Sequence, residues 1–355
     1  MTQAGPARRL CVLSAGALLA LAACSGSSTP STPTSAATSA AGSASPAPTA
    51  APTAAATSAA AAVNPLTGLA PVPSGPVIAV KIDDTGPGRP QVGIDKADIV
   101  YIEQAEGGLT RDVAVFSSQK PVAGYVRSTR ASDPELLSQY GPIILVASGG
   151  GGDSLKILDA SILKSYIQDR GAPLFYRVNR SASSYINVEL DLGKLAAALP
   201  GAGGAKDIGL TWNADAGALA SAPVANTIST VVGGTAVGFT WNASMNDYIR
   251  VINGVQQKAA DGNYVATPNV IVQFCAVSPH PGDVDVNGNP SQYTHSVGAG
   301  TVSIFRNGHR IDGTWSRASA TSPTIYKDAS GNPIPLAPGG AWVVLATTGA
   351  TLTSG

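Results

Sequence analysis

Four short signals punctuate the second half of this 355-residue chain: Asn253-Gly254, Asp261-Gly262, Asn307-Gly308 and Ser330-Gly331-Asn332. Asn, Asp and Gly accept the positive φ of tight hairpin turns, so each signal makes the chain double back between neighbouring strands. The runs between them, Phe239 to Trp241, Tyr248 to Ile252, Asn269 to Val277, Thr301 to Arg306, His309 to Trp315, Thr324 to Lys327 and Ala341 to Leu345, are rich in β-branched and aromatic residues. They read as strands, and helical periodicity is almost absent.

The first half alternates. Strands are predicted at Val77 to Ile82, Asp98 to Glu103, Leu109 to Phe116, Pro142 to Val146 and Leu174 to Val178, with a hairpin around Glu106-Gly107-Gly108. Asp133-Pro134-Glu135 opens a helix through Tyr140, with Pro in its first turn. Asp153 or Ser154 caps a second helix through Leu163. The resulting expectation is an α+β chain: an N-terminal α+β domain over residues 63–205, a Gly/Ala-rich junction over 206–235, and a mostly antiparallel β-rich domain over 236–350. About 290 residues exceed the usual size of one domain, which favours two.

Residues 1–23 have the parts of a lipoprotein signal peptide: Arg8 and Arg9, an apolar core from Leu10 to Leu21, and small residues before Cys24. The core is about twelve residues, too short to span a bilayer. The ending Leu21-Ala22-Ala23-Cys24 resembles a bacterial lipobox, which implies lipidation of Cys24 and anchoring on the extracytoplasmic face of the cell membrane. Residues 24–62 are almost wholly Ser, Thr, Ala, Pro and Gly without charge, the composition of a disordered tether. As a coil it would hold its ends about 35 Å apart, and extended it would reach roughly 125 Å.

Without Arg8 and Arg9 the chain carries 20 basic against 22 acidic residues, so no clustered basic stripe suggests nucleic acid as a partner. With Cys11 removed and Cys24 lipidated, Cys275 is left alone in an apolar strand, where it packs as a small hydrophobe.

Several motifs fall in order along the chain: Asn64-Pro65-Leu66-Thr67-Gly68-Leu69, Arg89-Pro90-Gln91, Ala97-Asp98-Ile99-Val100-Tyr101, Glu106-Gly107-Gly108-Leu109-Thr110-Arg111 and Val126-Arg127-Ser128-Thr129-Arg130. The second half continues with Trp241, Tyr248-Ile249-Arg250, Asn269 to Gln273, Gly313-Thr314-Trp315 and Pro338-Gly339 before Trp342. Together they resemble the YerB-like bacterial lipoprotein family, whose two domains have no assigned function. The resemblance implies a two-domain envelope lipoprotein. The chain departs from that pattern at Ile102, where the family commonly has Glu, and at Ser183-Ser184-Tyr185, where it tends to carry Pro-His-Asn.

No cofactor, nucleotide or zinc motif is present, and His280, His295 and His309 lack metal-ligand spacing, so neither cofactor nor metal is expected. Asp283-Val284-Asp285-Val286-Asn287-Gly288-Asn289 matches half of a calcium loop but has Thr294 where the bidentate acid belongs, and reads as a polar hairpin turn. More informative are Arg89, Arg111, Arg127 and Arg130, at strand ends and turns of a charge-poor chain. Guanidinium captures carboxylate and phosphate bidentately. The glycine turn containing Gly149 and Gly150 precedes a helix and offers backbone N–H groups to an anion. Two readings stay open: these residues line an anion-binding groove, or the arginines pair with Asp83, Asp98, Glu103 or Glu106 and merely hold loops. A third set, Glu103, Glu106 and Asp112, flanks one hairpin and is the candidate for a wall-directed hydrolase, which needs two facing carboxyls. The favoured expectation is a non-enzymatic module that binds a cell-wall polymer or envelope protein through the arginines.

Overall fold

The computed structural model describes residues 62–180, 185–219, 221–285 and 288–355. The expected signal peptide, Cys24 and the expected tether up to residue 61 lie outside them. A ten-stranded sheet organises the described chain. In spatial order its strands are Ile325–Asp328, His309–Arg317, Gly298–Arg306, Asn269–Cys275, Ala341–Thr347, Ile99–Gln104, Thr110–Phe116, Ile78–Asp83, Ile144–Ala147 and Lys164–Ile167. The first five come from the C-terminal half and the last five from the N-terminal half, so the two halves share one sheet. Its seam is the parallel pairing of Ala341–Thr347 with Ile99–Gln104, Val100 opposite Trp342 and Ile102 opposite Val344.

Alternation along the central strands explains the burial of both faces. Ile78, Val80 and Ile82 enter one apolar cluster with Val100, Ile102 and Phe116, while Val77 and Ala79 enter the other with Ile99, Val113 and Val115. Side chains on a strand point to opposite faces in turn, so a near-continuous apolar run fits a strand covered on both sides. A second, antiparallel sheet formed by Thr227–Val232, Thr235–Asn242, Asp247–Ile252 and shorter strands covers the first face. Cys275 is buried in the main sheet, and burial pushes its thiol up to about 12.

The α+β expectation is corrected to a mostly β fold. The helix expected from Asp133 to Tyr140 is α-helical over Asp133–Leu137 and finishes as a 3-10 turn over Ser138–Tyr140. The helix expected through Leu163 ends at Asp159; the Ser161 hydroxyl then bonds the Leu158 carbonyl and the chain enters the Lys164–Ile167 strand. A third helix, Leu192–Ala198, lies in the Ala-rich run before the expected junction, and the Thr227–Val232 strand lies inside it. The Glu106–Gly108 turn joins antiparallel strands as expected, with Gly107 and Gly108 at φ 62° and 74°.

One further pair positions the site. Val277–Val284 and Pro290–Thr294 form a two-stranded antiparallel arm that leaves the main sheet and lies against the N-terminal half. Tyr293 Oη donates to Glu135 at 3.0 Å, and His280 Nε2 lies 2.7 Å from Asp153 Oδ1.

Candidate functional site

The polar ends of the central strands supply the site. Asp83 pairs with Arg111 across the sheet, and Arg111 in turn lies opposite Glu103. Cross-strand partners share a face, so these three side chains leave the sheet on one side. Asp112 lies opposite Ile102 and Ile82 and leaves on the other. A one-residue step thus separates two polar clusters.

On the first side, Arg111, Arg127 and Arg130 line a groove of about 540 Å³, together with Glu106, Leu109 and Tyr185 and with Asp283 and Asp285 of the arm. Arg127 Nη1 donates to Asp83 Oδ2 at 2.6 Å, and its guanidinium lies 5.9 Å from the ring centre of the exposed Tyr185. Arg130 Nη2 donates to Glu106 Oε2 at 2.5 Å, and Ser291 Oγ of the arm donates to Glu106 Oε1 at 2.6 Å. Burial would raise the Glu106 pKa, but Arg130 outweighs it and holds the carboxyl below the usual range.

Arg111 differs from its neighbours. It is 4% exposed and has no carboxylate within ion-pair distance among the described residues. Its Nη1 donates to the Thr110 carbonyl at 3.0 Å, and its Nε is buried without an acceptor. Burial depresses its pKa, with Arg127 and Arg130 adding to the depression and Asp83 opposing it. A buried cation whose nearest carboxylates lie beyond ion-pair distance is costly, and an anion entering the groove would relieve that cost.

Arg89 does not join this groove. It lies on the other side of the sheet, with Nε 3.7 Å from Asp84 Oδ1. Gly149 and Gly150 do not line the groove either: a Cβ on Gly149 would meet Asp169 at 2.1 Å, and Gly150 packs on Leu155 and Thr129. The arm closes the glycine turn. A Cβ on Gly152 would lie 1.8 Å from the Gly282 carbonyl, and Ser154 Oγ donates to Asp283 Oδ2 at 2.8 Å. An internal carboxylate therefore stands where the turn chemistry would receive an external anion. Asp283 Oδ2 also lies 2.9 Å from Ser291 Oγ, and Asp285 accepts from the Asn289 backbone at 2.8 Å.

The three carboxylates of the hydrolase reading do not face one another across a cleft. Glu103 and Asp112 leave opposite faces of the sheet, and Glu106 is held by Arg130 and Ser291. Glu103 is buried against Lys81 and Asp133, and its pKa is pushed up to about 7 by burial first and by Asp133 second. Asp112, whose Oδ2 accepts from Gln91 at 2.8 Å, is raised well above the usual range by burial and by the nearby Asp84.

Sequence reasoning did not single out Lys81 or Asp84, and it named Asp133 only as a helix start and Arg250 only within a family motif. The available signal was a charge inside an apolar run, as in Val80-Lys81-Ile82 and Ile249-Arg250-Val251.

The comparisons with known proteins agree with this architecture. Residues 66–204 match the family model described as protein of unknown function (DUF3048), N-terminal domain, and residues 228–343 match its C-terminal domain. The chain is 46% identical over 70 residues to YerB, a candidate lipoprotein of Bacillus subtilis (strain 168). That matched segment spans 19% of this chain and 21% of the relative. The crystal structure of Bacillus subtilis YerB superposes with a TM-score of 0.69 at 22% identity, covering 82% of this chain and all of that one, and shows the same fold. No helix among the described residues is long and apolar enough to cross a membrane. The two domain matches, in order and over most of the described residues, together with the YerB fold, make this chain a member of the DUF3048 family.

Proposed function

We propose that the protein is a lipid-anchored component of the bacterial cell envelope that binds, without turning over, an anionic group of a cell-wall polymer or envelope protein in the Arg111–Arg127–Arg130 groove. Cys24 is the lipidation site in this reading, and the Ser/Thr/Pro/Ala segment after it gives the groove reach into the wall. The observation that carries the proposal is Arg111: a nearly inaccessible guanidinium on the groove wall with no carboxylate partner among the described residues. Guanidinium is built for bidentate capture of carboxylate or phosphate. The exposed Tyr185 and Leu109 at the same groove add apolar surface for the ligand's uncharged part. The acids of the arm make the groove dipolar and so select against a plain polyanion of unlimited charge density.

The test is a pull-down from detergent-solubilised envelope with the full chain, wild type beside Arg111→Met, with purified peptidoglycan and wall teichoic acid as separate baits. Capture that depends on Arg111 supports the proposal. Equal capture by both chains, or release of soluble wall fragments, would sink it.

A further inference from the structure

The buried cluster behind the groove has an arrangement of its own. Lys81 sits between Val80 and Ile82 in a central strand, Glu103 lies on the Ile99–Gln104 strand two positions across the sheet, and Asp133 opens the short helix. Their side chains are 0%, 1% and 0% exposed. Lys81 Nζ donates to Asp133 Oδ1 at 2.9 Å and to Glu103 Oε1, so both carboxyls meet at one ammonium. Asp133 Oδ2 accepts from Thr129 Oγ1 at 2.6 Å and from the Arg130 backbone N–H at 2.8 Å. Glu103 Oε2 is buried with no hydrogen-bond partner.

We propose that Lys81 and Asp133 condense in the folded chain to an intramolecular amide, Nζ to Cγ, with Glu103 as the proton shuttle and Thr129 and Arg130 N–H as the oxyanion donors. Each part of an acyl-transfer site is present. Lys81 is the nucleophile, held against the carboxyl it would attack. The two donors on Asp133 Oδ2 point at the oxygen that gains charge in the tetrahedral intermediate. Glu103 meets the same Lys81 ammonium as Asp133 and can take a proton on one oxygen while giving one from the other.

The balance closes without a co-reactant. The reactive form of the cluster is a lysine ammonium, an aspartate carboxylate and a protonated Glu103, and burial raises the Glu103 pKa to about 7, so this form is populated at neutral pH. Burial lowers the Lys81 pKa, yet Asp133 and Glu103 outweigh it and hold the ammonium, while Lys81 in turn outweighs burial at Asp133 and holds it ionised. One proton passes from Nζ to Asp133 Oδ1 along their hydrogen bond, giving free amine and neutral acid. The Nζ lone pair forms the bond to Cγ, and Glu103 accepts the second Nζ proton as it donates its own to the departing Oδ1 hydroxyl. The Cγ–Oδ1 bond breaks, water leaves, and Glu103 is again an acid. Nothing is oxidised or reduced.

Two physical arguments favour the condensation. Holding reactants in contact is equivalent to effective molarities of up to about 10⁵–10⁸ M, and the dry interior keeps water from the amide. The product also replaces two buried charges, each expensive to desolvate, by one neutral group. The bond would join positions 52 residues apart, in a chain whose described part holds one cysteine and therefore no disulfide.

The experiment is peptide mapping by tandem mass spectrometry of the denatured full chain. The expected result is a branched peptide joining Lys81 to Asp133, lighter than its two parts by one water, and lysine-specific cleavage blocked at Lys81. In Glu103→Gln, with its fold verified by circular dichroism, the branch should form about a hundredfold more slowly. Unmodified Lys81 and Asp133 in the folded wild-type protein would overturn the proposal, and so would a branch from Lys81 to Glu103. The wild-type map is decisive by itself even if the variant does not fold.

Discussion

Arg250 Nη2 lies 2.7 Å from Asp84 Oδ2, an ion pair between the two halves of the chain in which neither side chain is more than 2% exposed. Asp84 is further held by the Thr110 hydroxyl at 2.6 Å, and the Arg250 guanidinium lies 5.2 Å from the Trp342 ring. Removing one partner of such a pair strands the other as a buried charge. Arg250→Met is therefore expected to destabilise the protein by about 3–5 kcal/mol, read from urea denaturation of the folded chain. A loss below about 1 kcal/mol would mean that water reaches Asp84 and the pair is not what joins the halves.

Asp112 shares that buried space, and its pH dependence has a defined sign. Its folded pKa is raised, by burial first and by Asp84 second, above the unfolded value of about 3.9. The folded state therefore binds more protons, so the stability linked to Asp112 is fully present below pH of about 3.9 and is lost as pH rises toward the folded pKa. Asp112→Asn should match wild type at the acid end and exceed it at neutral pH. Thermal unfolding at several pH values would reveal this, and a variant less stable than wild type at neutral pH would contradict it.

Glu106 has the opposite sign. Arg130 and Ser291 hold its folded pKa below the unfolded value of about 4.3 despite burial. Its contribution is present above that value and disappears as pH falls through the folded pKa. Glu106→Gln is expected to cost about 1.5–3 kcal/mol at neutral pH, the range for hydrogen bonds to a charged group. The difference from wild type should shrink on acidification. A constant difference across the range would assign the effect to packing rather than charge.

Arg111→Met separates binding from folding. Burying a methionine in place of an unpaired cation should leave stability unchanged or raise it, since an uncompensated buried charge is removed. Binding to an anionic wall polymer should fall at least tenfold, about 1.4 kcal/mol. Isothermal titration with purified polymer measures the second quantity and thermal melting the first. Joint loss of both would make Arg111 a structural residue.

Cys24→Ala tests the anchor. The variant is expected to leave the membrane fraction for the medium or the soluble fraction, followed by immunoblot of fractionated cells. Continued retention in membranes would remove lipidation from the account.

The hairpin at Glu106-Gly107-Gly108, the Asn307-Gly308 turn between Gly298–Arg306 and His309–Arg317, and the central strands were legible because turn chemistry and two-residue alternation are local properties. The helical content of the N-terminal half was overstated because a cap and a few apolar residues do not reveal how soon a strand must begin. Arg111, Arg127 and Arg130 could be named from their residue type and position at strand ends, but Arg89 shared both features and belongs to another cluster.

The family resemblance, the strand-and-turn grammar and the short list of charged side chains follow from local sequence alone. Tertiary structure decided their partners: Ala341–Thr347 beside Ile99–Gln104, Arg250 on Asp84, Asp283 on Ser154, and Lys81 between Glu103 and Asp133. Strand periodicity fixes which face a side chain takes but carries no information about which strand, a hundred or more residues away, will lie next to it. That choice falls to the packing of whole faces, where buried apolar area and the need to pair every buried charge are satisfied together.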